Sequence, residues 1–246
     1  MTAQSSELQP PRRAARVRPL TFVNGDKGGV GKSWLARIIA WRMLLDGVPV
    51  EGIDGDPRNA HLRRYYGGSF TVHRPYLRSE QGWSELIDTV ASAANDTAIL
   101  IDLPAGAGDD LETQMRRLVR GLPASRPVVH IWVACEEEDS ITLFDRVRWL
   151  AKAASTAFVM NGRFGSPETF ELWRNSRLRE EHLRDGGLEA YINPLRVGIR
   201  TKFARARAPF HAVDELDLLR SERTDFELWT EDMQAALQAI FDLVRG

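Results

Sequence analysis

Cysteine is almost missing from this chain of 246 residues, with Cys135 as its single example. A lone thiol excludes an internal disulfide, so nothing in the sequence points to an oxidising compartment and a cytoplasmic protein is expected. Cys135 follows the apolar run Val128–Ala134 with no obvious base nearby, and it reads as a strand-end residue rather than a nucleophile. An excess of one charge sign is missing too. Lys and Arg number 33 against 34 Asp and Glu, which excludes a global field drawing the whole molecule onto nucleic acid or an anionic membrane. Any such binding has to come from a local patch. No run of about 18 uninterrupted apolar residues occurs, so no segment reads as a membrane span. Arg12 and Arg13 are not followed by the apolar stretch an export signal needs.

What remains is a chain that is 43% hydrophobic, long enough to bury a sizeable core, and within the size range of one large domain. Residues 1–18 are polar, basic and contain proline, and they read as a disordered tail ahead of a domain over 19–246. Leu20–Val23 predicts a strand, and Trp34–Leu45 predicts a helix stopped by Asp46-Gly47. Further strands are expected at Val48–Ile53, Ala98–Leu103, Val128–Ala134, Ala157–Met160 and Ala190–Ile192. Helices are expected at Trp83–Ala94, Asp139–Ala153 and Glu168–Arg184. This alternation implies the α/β class: a single doubly wound, mainly parallel sheet with helices on both faces. Such sheets bind ligands at the carboxyl ends of their strands.

The chemistry gathers at those ends. Gly25-Asp26-Lys27-Gly28-Gly29-Val30-Gly31-Lys32-Ser33 joins the first strand to the first helix, where backbone N–H groups and the helix dipole converge on an anion. Glycines let the chain curl around phosphate oxygens, Lys32 places a point charge on the β/γ oxygens, and the Ser33 hydroxyl suits Mg²⁺. Asp26 stands where the GxxxxGK[ST] pattern has its first glycine. Asp54-Gly55-Asp56-Pro57 ends the second strand and by itself is a turn signal. Asp102 ends an apolar strand before Pro104-Ala105-Gly106, a position from which a carboxylate holds Mg²⁺ through water. A helix N-cap is the alternative role at this point, and Asp109 or Asp110 could supply it instead.

The run KGGVGKS, with its additional lysine at the start, resembles the signature of the ParA/MinD family of P-loop ATPases. That resemblance implies Mg-ATP bound along Lys27, Gly28, Gly29, Val30, Gly31, Lys32 and Ser33, in a homodimer formed on ATP binding. Lys27 would reach across to the partner subunit's phosphates, so that hydrolysis is coupled to dimer formation. Asp56 matches the family carboxylate that positions attacking water, Asp54 supports the metal-water shell, and Asp102 belongs to a second segment that looks like D-x-P-A-G. Asn161 and Pro194 resemble the strand-end residues that hold the base. The likeness runs from Pro19 to about Val213, and Trp34 with the run Asp56–Asn59 is similar to ParA-like proteins of conjugative and mobilisable plasmids.

Arg196, Arg200, Lys202, Arg205 and Arg207 fall in a stretch without a carboxylate. In DNA-partitioning relatives a basic surface near this part of the chain binds DNA, and the cluster is a candidate for non-specific phosphate contacts or for a solvated helix closing the pocket. Phe226–Val244 is amphipathic but carries Glu227, Glu231, Asp232 and Asp242, the wrong charge for anionic lipid, and is expected to pack on the core. The resemblance implies a dimerising switch that positions DNA or a DNA-processing complex in plasmid partition or conjugal transfer. The alternatives are a small-molecule kinase or ATP-dependent ligase on the same scaffold, and a nucleotide-binding scaffold without turnover.

Overall fold

A computed structural model describes residues 16–25, 27–106, 113–114, 117–118, 120–123, 126–148 and 154–246. Residues 1–15 of the expected tail, Asp26, the candidate caps Asp109 and Asp110, and the end of the helix expected to reach Ala153 lie outside them.

Seven strands form one sheet in the order β3-β2-β4-β1-β5-β6-β7, and every pairing among them is parallel. They are β1 (Leu20–Asn24), β2 (Val50–Asp54), β3 (Val72–His73), β4 (Ala98–Asp102), β5 (Val128–Ala134), β6 (Ala154–Asn161) and β7 (Leu188–Ile192). β1, β4 and β5 are buried along their whole length, as strands covered on both faces must be. One face is covered by α1 (Lys32–Leu45), α2 (His61–Tyr66), α7 (Val197–Ala206) and α8 (Arg220–Arg245). The other is covered by α3 (Glu80–Ser92), α4 (Glu138–Arg148), α5 (Glu171–Arg174) and α6 (Arg177–Arg184). The expected α/β class with a parallel sheet is therefore the observed one, and α8 buries Phe226, Trp229, Met233, Leu237, Ile240, Phe241 and Val244 against the core as expected.

Element boundaries depart from expectation for local reasons. β2 begins at Val50 rather than Val48 because Val48 is taken up in ending α1. Gly47, at φ 63°, turns the chain so that its N–H meets Leu44 O and the Val48 N–H meets Met43 O. α3 begins three residues before Trp83 because the Ser79 side chain accepts from Gly82 N at 3.1 Å and caps it. The helix expected over Glu168–Arg184 is a correction. It is a 3₁₀ turn over Pro167–Phe170, then α5, then α6, because Ser176 breaks the run by accepting from Arg179 N and starting a new helix. Arg18, within the expected tail, donates its N–H to Asn95 O and accepts from Arg126 Nη1.

Candidate functional site

The loop from Gly25 to Gly31 leaves the carboxyl end of β1 and opens α1, in the notch between the two central strands that flank β1. Gly29 and Gly31 hold φ of 83° and 111°, values at which a side chain is strained. Gly31 is constrained twice, because a Cβ there would lie 2.3 Å from Asn161 Nδ2. The Asn161 amide instead donates to Val30 O at 2.7 Å while its oxygen accepts from Arg163 N. Inside the curl, Lys32 is buried and its ammonium donates to Lys27 O at 2.8 Å. The Lys27 side chain turns outward to Glu137, 2.5 Å away, and that hydrogen bond holds its ammonium above the ordinary lysine value.

Three carboxylates meet the loop. Asp54 and Asp102 are partners in the register of β2 and β4, so they arrive side by side at the strand ends, both buried. Asp54 is tied down: its Oδ1 accepts from Asp56 N and its Oδ2 from Arg63 N, which braces the start of α2. Burial raises its pKa against those bonds. Asp102 is different. Neither of its oxygens meets a donor in bonding geometry. Burial, and then the neighbouring Asp54, push its carboxyl up to about 7 against the pull of Ser33 and Lys32. A buried carboxylate with no backbone donor, beside a serine hydroxyl, suits a hard dication. Among the described residues no three His, Cys, Asp or Glu side chains converge as a metal cage. Asp56 is half-buried, and its Oδ1 accepts from Arg58 N and Asn59 N. Burial raises its carboxyl, but those bonds outweigh it and leave it below the usual range.

A cleft of 410 Å³ runs along this edge and brings Gly28, Gly29, Gly31, Lys32, Ser33 and Asp56 together. A second cavity of 160 Å³ adjoins it and is lined by Asn161 and Pro194, the two residues expected at the base. Arg163 and Arg200 line both. Arg163, Arg37 and Glu137 were not singled out in the sequence. The available signals were a charge in the apolar run of α1 and a carboxylate three residues past a strand end.

The basic cluster does not form one face. At roughly 100° per residue, Arg200 and Lys202 point about 160° apart around α7, and Arg205 lies about 140° from Arg200. Arg196 pairs with Asp225 at 2.8 Å and Lys202 with Glu222 at 2.5 Å, carboxylates supplied by α8. Arg205 and Arg207 are exposed and have no ionic partner among the described residues. Also among the described residues, no helix is long and apolar enough to cross a membrane.

No protein-family model matches the chain. It is 27% identical over 178 residues to the protein MobD of Acidithiobacillus ferrooxidans, covering 70% of this chain and 75% of that one. Among solved structures it is similar to the septum site-determining protein MinD of Pyrococcus horikoshii complexed with Mg-ADP, with TM-score 0.51 and 20% identity over 91% of this chain and 98% of that chain. It is also similar to a putative plasmid partition protein of Borrelia burgdorferi bound to AMPPNP, with TM-score 0.52 and 14% identity over 89% and 99%. The seven-stranded parallel sheet with its helices is thus a P-loop nucleotidase fold of the MinD kind.

Proposed function

We propose that this chain, which resembles the ParA/MinD-type ATPases in its loop motif and its fold, is an ATPase of that type. It binds Mg-ATP along Lys27–Ser33, dimerises in the ATP state, and acts as a switch that positions DNA or a DNA-processing complex in plasmid partition or conjugal transfer. The observation that carries the reading is the buried Asp102 carboxylate beside the Ser33 hydroxyl at the mouth of a glycine loop, with no backbone donor on either oxygen. A structural aspartate would have been satisfied by the fold, as Asp54 is.

In this reading the phosphates replace the Lys27 carbonyl as partner of Lys32, and loop N–H groups take the remaining oxygens. Ser33 and Asp102 would hold Mg²⁺, with Asp54 behind them fixing the strand end. When bound, the ion would supply charge screening to the phosphates. Asp56, its carboxylate kept ionised by two backbone N–H groups, orients the attacking water. Asn161 and Pro194 border the space for the base. The bound ligands named for the MinD and partition-protein structures, Mg-ADP and AMPPNP, support this choice of nucleotide. Arg205 and Arg207, exposed and ionically unpaired among the described residues, are the residues of the basic segment best placed for duplex phosphates.

The test is ATP turnover with and without duplex DNA, with sedimentation in ADP and in ATP, on wild type and Lys32→Ala. ATP-dependent dimers and slow turnover raised by DNA or a partner protein are expected, with both lost in the variant. Monomers in every nucleotide state, with turnover intact, would replace the switch with a single-subunit enzyme. Dimers without turnover would leave a scaffold.

A further inference from the structure

The cleft beside the phosphate loop extends along α1 to Arg37, one turn beyond Ser33, which the proposed nucleotide chemistry does not use. Arg37 is 4% exposed yet lines the cleft. Its guanidinium carbon lies 3.6 Å from the centre of the Tyr65 ring, 4.7 Å from Phe210 and 5.1 Å from Trp34. It has no carboxylate or carbonyl partner among the described residues, and its Nε and Nη2 are buried without any acceptor. Burial lowers its pKa, but a guanidinium stays charged in a protein. Ring faces answer part of that charge, and they cannot accept the in-plane N–H fork.

A buried cation with an empty fork is costly unless something supplies oxygen atoms to it. Long side chains on a helix lean toward its N-terminus, so Arg37 leans back toward the turn that carries Ser33. His61 stacks on the same Tyr65 ring, 6.1 Å between centroids, and with Asn59 lines the same cleft. Burial, then Arg64 and Arg37, lower the His61 pKa, so it stands there as a neutral donor or acceptor. Of the cleft's lining residues, Lys32, Arg37, Arg163 and Arg200 carry positive charge and Asp56 alone a carboxylate.

We propose that Arg37, with His61 and Asn59 beside it, forms an oxyanion subsite of this cleft that takes a phosphate or carboxylate group by the bidentate geometry a guanidinium fork offers. The oxyanion is either the terminal phosphate of the loop-bound nucleotide, in which case the subsite rests on the ATP reading, or a group on a second small molecule. In the latter case it does not depend on that reading.

Calorimetry on the full chain and on Arg37→Met separates the sources, and the apolar replacement keeps the stem within the aromatic cage. AMPPNP and ADP are titrated in Mg²⁺, then inorganic phosphate and malonate onto the ADP-loaded and the free protein. A loss of AMPPNP affinity of tenfold or more with ADP unchanged identifies the terminal phosphate. Equal nucleotide affinities with phosphate or malonate binding lost in the variant identify a separate molecule. Arg37→Lys, which keeps charge without the fork, is expected to recover only part of either effect. Identical titrations for wild type and Arg37→Met overturn the subsite. If neither protein binds nucleotide, the ATP reading fails, and the phosphate and malonate titrations of the free chain still decide the subsite.

Discussion

Lys27 Nζ sits 2.5 Å from Glu137 Oε2 of its own chain, so the loop's first lysine is paired within the subunit. The contact joins the phosphate loop to the segment between β5 and α4, on the carboxyl edge of the sheet. Both side chains are solvent-accessible, at 40% and 55% exposure, so the pair is one that a competing anion can displace.

If Lys27 serves a neighbouring subunit, it has to leave Glu137 first. Glu137→Gln should therefore dimerise in ATP at a lower protein concentration than wild type, by about fivefold at most for each of the two pairs a dimer breaks, because exposed ion pairs are weak. Lys27→Ala should bind ATP and stay monomeric. Sedimentation across a protein dilution series reads both, and a dimer formed by Lys27→Ala would remove the trans role.

Asp56→Ala is expected to keep ATP binding and dimerisation while turnover falls by roughly a hundredfold or more, the range for losing a group that acts on a proton in flight. Asp56→Asn preserves an acceptor for the N–H groups of Arg58 and Asn59 and separates turn from charge. Slow turnover in both variants assigns the defect to the carboxylate. Wild-type rates in Asp56→Ala would move the catalytic role elsewhere.

His130 predicts an acid limb in stability. It is fully buried on β5, with Asn24 Nδ2 3.4 Å from its Nε2, and burial lowers its pKa to about 4. A folded-state pKa below the unfolded value of about 6.5 means the stabilisation is complete above that value and is lost as pH falls toward 4, by about 3 kcal/mol in all. Denaturant melts from pH 7 to pH 4 should show the fall, and His130→Gln should flatten it. An unchanged slope in the variant would place the proton on another group.

Arg207 closes α7 with φ 52°, a left-handed conformation that glycine adopts without strain. Arg207→Gly should raise stability by up to about 1 kcal/mol, since it removes a left-handed penalty of about 1–2 kcal/mol and restores part of it as glycine's larger entropy loss on folding. If Arg205 and Arg207 touch duplex phosphates, replacing both should lower the slope of log affinity against log salt by up to about 1.8 for each subunit on the duplex. A salt titration on unrelated duplexes checks this, and an unchanged slope would assign DNA contact to other residues or to a partner protein.

The phosphate loop, the three carboxylates and the sheet class were legible because each is written in contiguous residues: glycines before a helical run, and aspartates at the ends of apolar runs. α2 and β3 were not foreseen, since six and two residues carry too little periodicity to announce themselves. The basic segment misled for a different reason. Counting charges along the chain found no carboxylate between Leu195 and His211, while Glu222 and Asp225 approach from α8 in space. Arg37 was hidden by its neighbours, a charge set within the apolar middle of a helix that buries most of its surface. What it touches depends on Tyr65 and Phe210, remote in sequence.

The bond from Asn161 to Val30 has a kinetic consequence. It pins the curl of the loop from β6, and Lys32 holds the same curl from inside through the Lys27 carbonyl. A cradle already shaped when the chain folds has little ordering entropy left to lose when a ligand arrives. Arrival should then be governed by diffusion and by the positive wall of the cleft, with association rates that fall as salt rises and show no lag for loop rearrangement. Departure is where variants of Asn161 would be felt, as shortened residence times.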